Sequence, residues 1–415
     1  MHGLHQCTRR NGHRSEKNQH GEKTMKRMGY LFFIFSLSLF GMSYQTFKAK
    51  TLKNSKILKS QTLTLQTAQQ KNKILLRASN PVMNLELSNY NENVGGSDIE
   101  YAAGLSQTIR TGSYMDGLRE KANANSLLSK AFVTQGRAGY IKTLENLYTQ
   151  YVYQSKMLSL LDQEYTLSNR VTAMVKERYK SGSENRVAYL QARTETLTLK
   201  TMKYTTKQEL VKLYYQLLAI AGLSQKVSLE KRFIYSVSSK TKSSAKLSPQ
   251  QQVLKAKEKL YRSDYSINQS SFRNFDLYTS VEQEPDQGIV RVGVSIPLSI
   301  NNDRSEERML AKLKMQQTQL DNEQLSISIR SQKQMLKAAL RELSAQYHAL
   351  RSLQKEQQEL TTLLQEGYKI AKGSLFQLMT AKNKLIQTRK ALLQTQKMIN
   401  DQKIELRFLQ GDYND

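Results

Sequence analysis

The chain has 415 residues, a formal net charge of +28 and 24% charged side chains, with only four prolines and no tryptophan. Its hydrophobic share, 39%, is low for a compact globule and suits an extended helical body with a narrow core and much wet surface. Beyond residue 43 no stretch offers the roughly 18 consecutive apolar residues of a membrane-spanning helix, so any passage through a membrane would have to use strands closed into a barrel.

The first 24 residues read as an upstream extension, holding Cys7, His2, His5, His13 and His20. From Met25, Lys26 and Arg27 form a basic start, Tyr30 to Phe40 an apolar run, and Gly41-Met42-Ser43 a small-residue cleavage point, which together predict a Sec-type signal peptide over 25–43. The alternative, an uncleaved anchor, needs about 20 apolar residues where roughly 12 are present. The mature chain then keeps His348 as its only histidine and has no cysteine. That excludes a thiolate or multi-histidine metal site, disulfides and an acylated N-terminal cysteine; His348 reads as an ordinary helix residue. No cofactor, no metal and no catalytic residue is expected.

The next segments come twice. Gly104-Leu105-Ser106-Gln107-Thr108-Ile109 returns as Gly293-Val294-Ser295-Ile296-Pro297-Leu298, and Tyr179-Lys180 with Ala192 returns as Tyr368-Lys369 with Ala381, always 189 residues on. A fixed offset over such a distance predicts an internal two-fold repeat. The first repeat, 44–222, opens with a lead-in helix over roughly Asn54 to Ser79. A strand pair over 82–109 follows, in which Met83, Leu85 and Leu87, then Ile99, Tyr101, Ala103, Leu105 and Ile109, alternate with small or polar residues. A long helix from about Ser113 to Tyr179, roughly 100 Å at 1.5 Å per residue, carries Leu144, Leu147, Tyr151, Gln154, Leu158, Leu161 and Tyr165 at steps of 3 and 4. A tip turn near 180–185 leads to a return helix with Leu190, Leu197, Tyr204, Val211 and Leu218 seven apart, ending about Gly222.

Residues 223–248, rich in Ser and Lys, form a linker. The second repeat, 249–415, begins at Ser248-Pro249, a helix-start signal. Its strand pair, 274–298, turns at Pro285-Asp286-Gln287-Gly288. Its long helix carries Leu336, Leu340, Leu343, Tyr347 and Leu350, and its tip turn lies near 370–374. Four strands of about 8 to 12 residues have transmembrane length but cannot close by themselves, since the smallest barrels have eight. The chain must share a barrel, or else its hairpins pack on helices in a soluble protein. The fold class is therefore mainly α with a small β part, long coiled-coil hairpins carrying four strands.

No P-loop, nucleotide-binding glycine run or nucleophile motif is present, so an enzyme is not expected. Glu342, Glu356 and Glu359 lie among basic neighbours and read as helix ion pairs. The positive charge admits three readings: a lumen attracting anionic cargo, a nucleic-acid-binding coiled coil, or lysines on solvated helix faces. Nucleic acid is disfavoured because it leaves export, strands and repeat unexplained.

This order of elements resembles the TolC-like outer-membrane efflux proteins over Asn54 to Gly411, closest in its strand phrases to the cation-efflux branch. The phrases are Asn80-Pro81-Val82-Met83-Asn84-Leu85-Glu86-Leu87, Gly104-Leu105-Ser106-Gln107 and Val292-Gly293-Val294-Ser295-Ile296-Pro297-Leu298. The tip phrases are Arg178-Tyr179-Lys180-Ser181-Gly182 through Leu190-Gln191-Ala192-Arg193, and Gly367-Tyr368-Lys369 through Gly373-Ser374-Leu375 and Ala381. The resemblance implies a homotrimer whose three chains build one 12-stranded transmembrane β-barrel in outer-membrane lipid, continued by a helical tunnel across the periplasm. It implies passive conduction in a tripartite efflux or type I secretion system, with a periplasmic adaptor and an inner-membrane pump, proton-driven or ABC-type. It assigns adaptor docking and tip closure to Tyr179, Gly182, Tyr368, Gly373 and Ser374, for which simple turn chemistry is the other reading. The chain departs from the family pattern at Ala371, where a tip glycine is expected, at Ala188 and Gln377, where acidic residues are frequent, and before Asn54, where the opening helical phrase is missing. The runner-up is an exported periplasmic or surface coiled-coil scaffold outside the membrane.

Overall fold

The computed structural model describes residues 41–92, 96–238, 246–284, 286–298, 300, 302–370 and 372–414. The upstream extension, the apolar run to Phe40, Pro285 and Ala371 lie outside them. In chain order the elements are α1 (Tyr44–Asn54), α2 (Lys56–Leu76), β1 (Val82–Glu92), β2 (Gly96–Arg110), α3 (Gly112–Lys180), α4 (Arg186–Ala221), α5 (Pro249–Gln269), β3 (Asn274–Gln283), β4 (Gly288–Ser295), α6 (Ser305–Lys369) and α7 (Leu375–Leu409). The stretch before Asn54 is thus helical, contrary to the sequence expectation: Ser43 accepts a hydrogen bond from the Thr46 amide and caps a short helix that buries Tyr44 and Phe47.

Two helical hairpins form the body, α3 with α4 and α6 with α7, joined where α3 meets α7; α2 packs on α3, and α5 packs on both α3 and α6. At 69 and 65 residues, α3 and α6 run for about 100 Å each. Helix α5 starts where the Ser248-Pro249 signal places it, with a full capping box between Ser248 and Gln251.

The heptad stripe of α4 is covered only at its end inside one chain. Leu218, its last member, is 4% exposed, whereas Leu190, Leu197, Tyr204 and Val211 are 44%, 51%, 59% and 48% exposed. The helix buries Ala188, Ala192, Thr196 and Leu199 toward the turn and Leu213, Leu217, Leu218 and Ala221 at its other end. Near the turn small residues face the inside because α3 already supplies bulky ones there, Val171 and Val175 among them, and a narrow two-helix seam has no room for both sets. From Leu190 to Val211 the seven-spaced stripe is left without a partner in its own chain. Helix α6 does the same with Leu313, Leu320 and Ile327. Glu342, Glu356 and Glu359 are exposed and form no ion pair among the described residues, in keeping with the small gain such surface pairs offer.

The strands form one antiparallel sheet in the order β1-β2-β3-β4. Residues directly opposite one another share a face, so the register sorts the side chains. Leu85, Ala103, Val281 and Val290 make one row, and Met83, Leu105, Thr279 and Val292 another. This apolar face is uncovered: Leu85, Leu87, Val290 and Val292 are 70–81% exposed. Rows between them carry the polar set, such as Asn84, Gly104, Ser280 and Arg291. Strand β4 ends at Ser295, short of Leu298, because Pro297 has no N–H to give and Asn274 and Phe275 at the start of β3 pair only with β2.

Midway along the helices, the carboxylate of Glu145 sits 1% exposed. It accepts hydrogen bonds from the hydroxyls of Tyr44 (3.0 Å), Tyr235 (2.8 Å) and Tyr413 (2.5 Å) and from Lys48 Nζ (3.2 Å). Four distant segments meet there: α1, α3, the linker and the C-terminal residues. Arg407 donates to Tyr235 (2.6 Å) and to Asp412 (3.1 Å), which closes the cluster on its outer side.

The start of the body bears on where the expected signal peptide would be cut. The Met42 N–H donates to the Ser228 carbonyl (2.7 Å), the Met42 carbonyl accepts from Glu230 N–H (3.0 Å), and a Cβ on Gly41 would lie 2.8 Å from the Leu229 backbone. Cleavage after Ser43 would remove this bridge and the α1 cap and place a new ammonium at a helix N-terminus, where positive charge is disfavoured. Intact-mass analysis of the exported protein should therefore find its first residue at or before Gly41. A mature chain starting at Tyr44 would contradict this.

Candidate functional site

The end of the body farthest from the sheet holds both helix turns. After α3, the N–H groups of Ser183 and Glu184 return to the Arg178 carbonyl (2.8 and 3.1 Å), and Gly182 takes φ +77°, the left-handed geometry that ends helices and favours glycine. Asn185 then caps α4 through the Ala188 amide (2.8 Å). After α6, Lys372 N–H returns to the Gly367 carbonyl (3.0 Å), and Gly373 lies so close that a Cβ would stand 2.8 Å from the Tyr368 nitrogen. Ser374 precedes α7 without a side-chain cap bond; its carbonyl accepts from Leu378 N–H (3.2 Å).

Tyr368, 1% exposed, is the centre of this end. It packs with Val171, Val175, Ala188, Ala192, Leu375 and Leu378. The Arg178 guanidinium lies 4.5 Å above its ring and donates to its carbonyl (3.1 Å), while the Tyr368 hydroxyl donates to Glu184 (3.1 Å). These contacts tie the α6–α7 turn to the α3–α4 turn. Burial first, and the Glu184 carboxylate second, hold the Tyr368 phenol above its ordinary pKa.

Of the five expected site residues, the structure brings Tyr368 and Gly373 together. Tyr179, 39% exposed, instead stacks on Tyr189 of its own hairpin at 5.9 Å, and Gly182 faces open space. Sequence reasoning missed Arg178 and Glu184 as the partners of Tyr368, although Arg178 stands within the quoted phrase. It also missed the apolar rim of Val187, Ile370 and Phe376, which are 62%, 66% and 76% exposed. Those three flank the turn glycines, where a solvated loop would carry polar side chains. Ala188 is buried in the cluster, so no acidic group stands at that position.

A second buried charge cluster lies above the tip. Glu164, 1% exposed, pairs with Arg389 at 2.5 Å, and Lys382, 2% exposed, is 3.9 Å from Glu195. Burial pushes the Lys382 ammonium down and the Glu195 carboxyl up. Among the described residues no group of three or more His, Cys, Asp or Glu is placed to hold a metal, and no helix is long and apolar enough to cross a membrane.

No protein-family model matches the chain, and no curated protein matches it in sequence. Solved structures do match in shape. CusC, described as forming a transmembrane channel, shares 17% identity at a TM-score of 0.74, covering 88% of this chain and 91% of that one. The outer membrane protein VceC of Vibrio cholerae shares 12% identity at 0.74, covering 88% and 95%. The MtrE outer membrane channel of Neisseria gonorrhoeae shares 17% identity at 0.74, covering 88% of each. At these identities the likeness is one of fold, and over nearly nine-tenths of its length this chain has the fold of the TolC-like outer-membrane channels.

Proposed function

We propose that this protein is the outer-membrane channel-tunnel of a tripartite efflux or type I secretion system, passively conducting substrate from a periplasmic adaptor and inner-membrane pump to the outside. The observation that carries the reading is the sheet. Its outward row residues are apolar and uncovered, and its edge strands β1 and β4 each have one neighbour only. In lipid an unpaired edge leaves backbone N–H and C=O groups without partners, which closure into a barrel removes.

Three copies supply twelve strands, with β4 of one copy pairing β1 of the next. The unpartnered stripes on α4 and α6 support the same homotrimer, since residues seven apart pack helix against helix. Beyond the sheet the helices extend as a tunnel through the periplasm. The tip residues Tyr179, Gly182, Tyr368, Gly373 and Ser374 form the adaptor-docking and closing end, and the exposed Val187, Ile370 and Phe376 give an adaptor an apolar surface there.

Membrane fractionation followed by light scattering of the detergent-extracted protein tests the reading. An outer-membrane particle of three chains is expected. A soluble monomer or dimer would sink the channel and leave the exported coiled-coil scaffold, which needs no detergent.

A further inference from the structure

Charge is not spread evenly along this chain. In a protein of formal charge +28, residues 78–109 contain Glu86, Glu92, Asp98 and Glu100 and no Lys, Arg or His, and residues 274–298 contain Arg291 as their only basic residue. The basic excess therefore lies outside the strands, and the sheet region is acidic.

The register gives that acidity a direction. Glu86 lies opposite Ala102, which lies opposite Glu282, so the two carboxylates flank one small residue in a single row. Glu100 lies two residues from Ala102 on the same face, opposite Ser88. Asp276 shares that face and accepts a hydrogen bond from Thr108 (2.5 Å). None of these lies on the apolar face formed by Leu85, Ala103, Val281 and Val290. Of the cations on the polar face, Arg291 pairs with Glu282 and Arg110, at the helix end of β2, donates to the Leu75 carbonyl (2.9 Å), which leaves Glu86 and Glu100 without a counter-ion among the described residues.

We propose that Glu86 and Glu100 make the barrel section of the conduit favour cations over anions, against the sign of the chain as a whole. This rests on the trimeric channel reading, in which the apolar face meets lipid and the polar face lines the lumen. Three copies then bring these carboxylates to nearly one height as a girdle inside a low-dielectric wall, where a ring of like charge focuses its field on the pore. The basic helices lie farther off than a Debye length of about 8 Å at physiological salt and do not cancel it.

The mature chain has no cysteine, so a single Ser88→Cys reports the local potential beside Glu100 in the full protein reconstituted in vesicles. Modification rates of a cationic and an anionic methanethiosulfonate would be compared with their ratio on a free thiol. The cationic reagent should be favoured by roughly tenfold, falling toward parity in about 1 M salt and in Ser88→Cys combined with Glu86→Gln and Glu100→Gln. A membrane-embedded trimer with a ratio at or below that of the free thiol, or one the double glutamine change does not alter, overturns the proposal and leaves the channel intact. Failure to obtain a membrane-embedded trimer overturns the channel reading and this one with it.

Discussion

Replacing Glu145 with leucine is expected to cost roughly 3–5 kcal/mol of stability, the range for removing one partner of a buried charged cluster. The substitution leaves the buried hydroxyls of Tyr44 and Tyr413, with the half-buried Tyr235 hydroxyl and Lys48 ammonium, around an apolar side chain. It also unfastens the first helix, the linker and the C-terminal residues from α3 together. Thermal unfolding in detergent, followed by circular dichroism, checks this against Glu177→Gln, whose exposed pair with Lys180 should be worth little. Equal melting of the two variants would show that the cluster does not hold the body together.

The same cluster sets an alkaline limit. Burial first, and then the charge of Glu145, raise the phenols of Tyr44 and Tyr413 far above their ordinary range, and burial raises that of Tyr235. An unfolded tyrosine gives up its proton near pH 10, while these keep theirs in the folded state. Their contribution is complete below about pH 10 and is lost as pH rises further, because the unfolded state then binds fewer protons than the native one. Unfolding measured from pH 7 to 11 should show a flat region followed by a fall.

On the proposed channel reading, Arg178→Ala should open the tip. In this structure Arg178 donates to the Tyr368 carbonyl and covers its ring. A hydrogen bond to a charged group is worth about 1.5–3 kcal/mol and a partly desolvated cation–π contact about 0.5–2 kcal/mol. A loss of roughly 2–5 kcal/mol multiplies the open-to-closed ratio by about 30 to 4,000, at tenfold per 1.4 kcal/mol. Single-channel conductance in planar bilayers reads the change. Tyr368→Phe, which gives up only the bond to Glu184, should open the tip less. Tyr179→Phe should be silent, since that ring stacks within its own hairpin. Equal conductance in wild type and Arg178→Ala would place the gate elsewhere.

Much of the architecture was legible in the sequence, for definite reasons. Alternation at Met83, Leu85 and Leu87 and at Val290, Val292 and Val294 survives because a pleated strand puts every second side chain on one face, and the structure keeps all six on the apolar face. The Ser248-Pro249 helix start depends on its own neighbours alone, and so does the Gly182 turn. Residues that act by meeting distant partners were not legible. Nothing near Glu145 in the chain shows that it will be buried among tyrosines 101, 90 and 268 positions away. The heptad stripe of α4 was visible as a pattern but without a partner, because periodicity shows that a face is apolar without showing what covers it.

The sequence by itself determined the types of the main elements, the lengths of the two long helices, the lack of cysteine and of any histidine but His348 beyond residue 43, and the existence of four strands too few to close alone. Those properties follow from local propensity, composition and period, which a linear chain carries in full. Only the tertiary structure decided that Tyr368 rather than Tyr179 joins the two turns, that α4 and α6 leave apolar stripes open, and that the acidic residues of the hairpins share the polar face. Each of these depends on register and packing between segments far apart in the chain, where a one-residue shift would send every side chain to the opposite face.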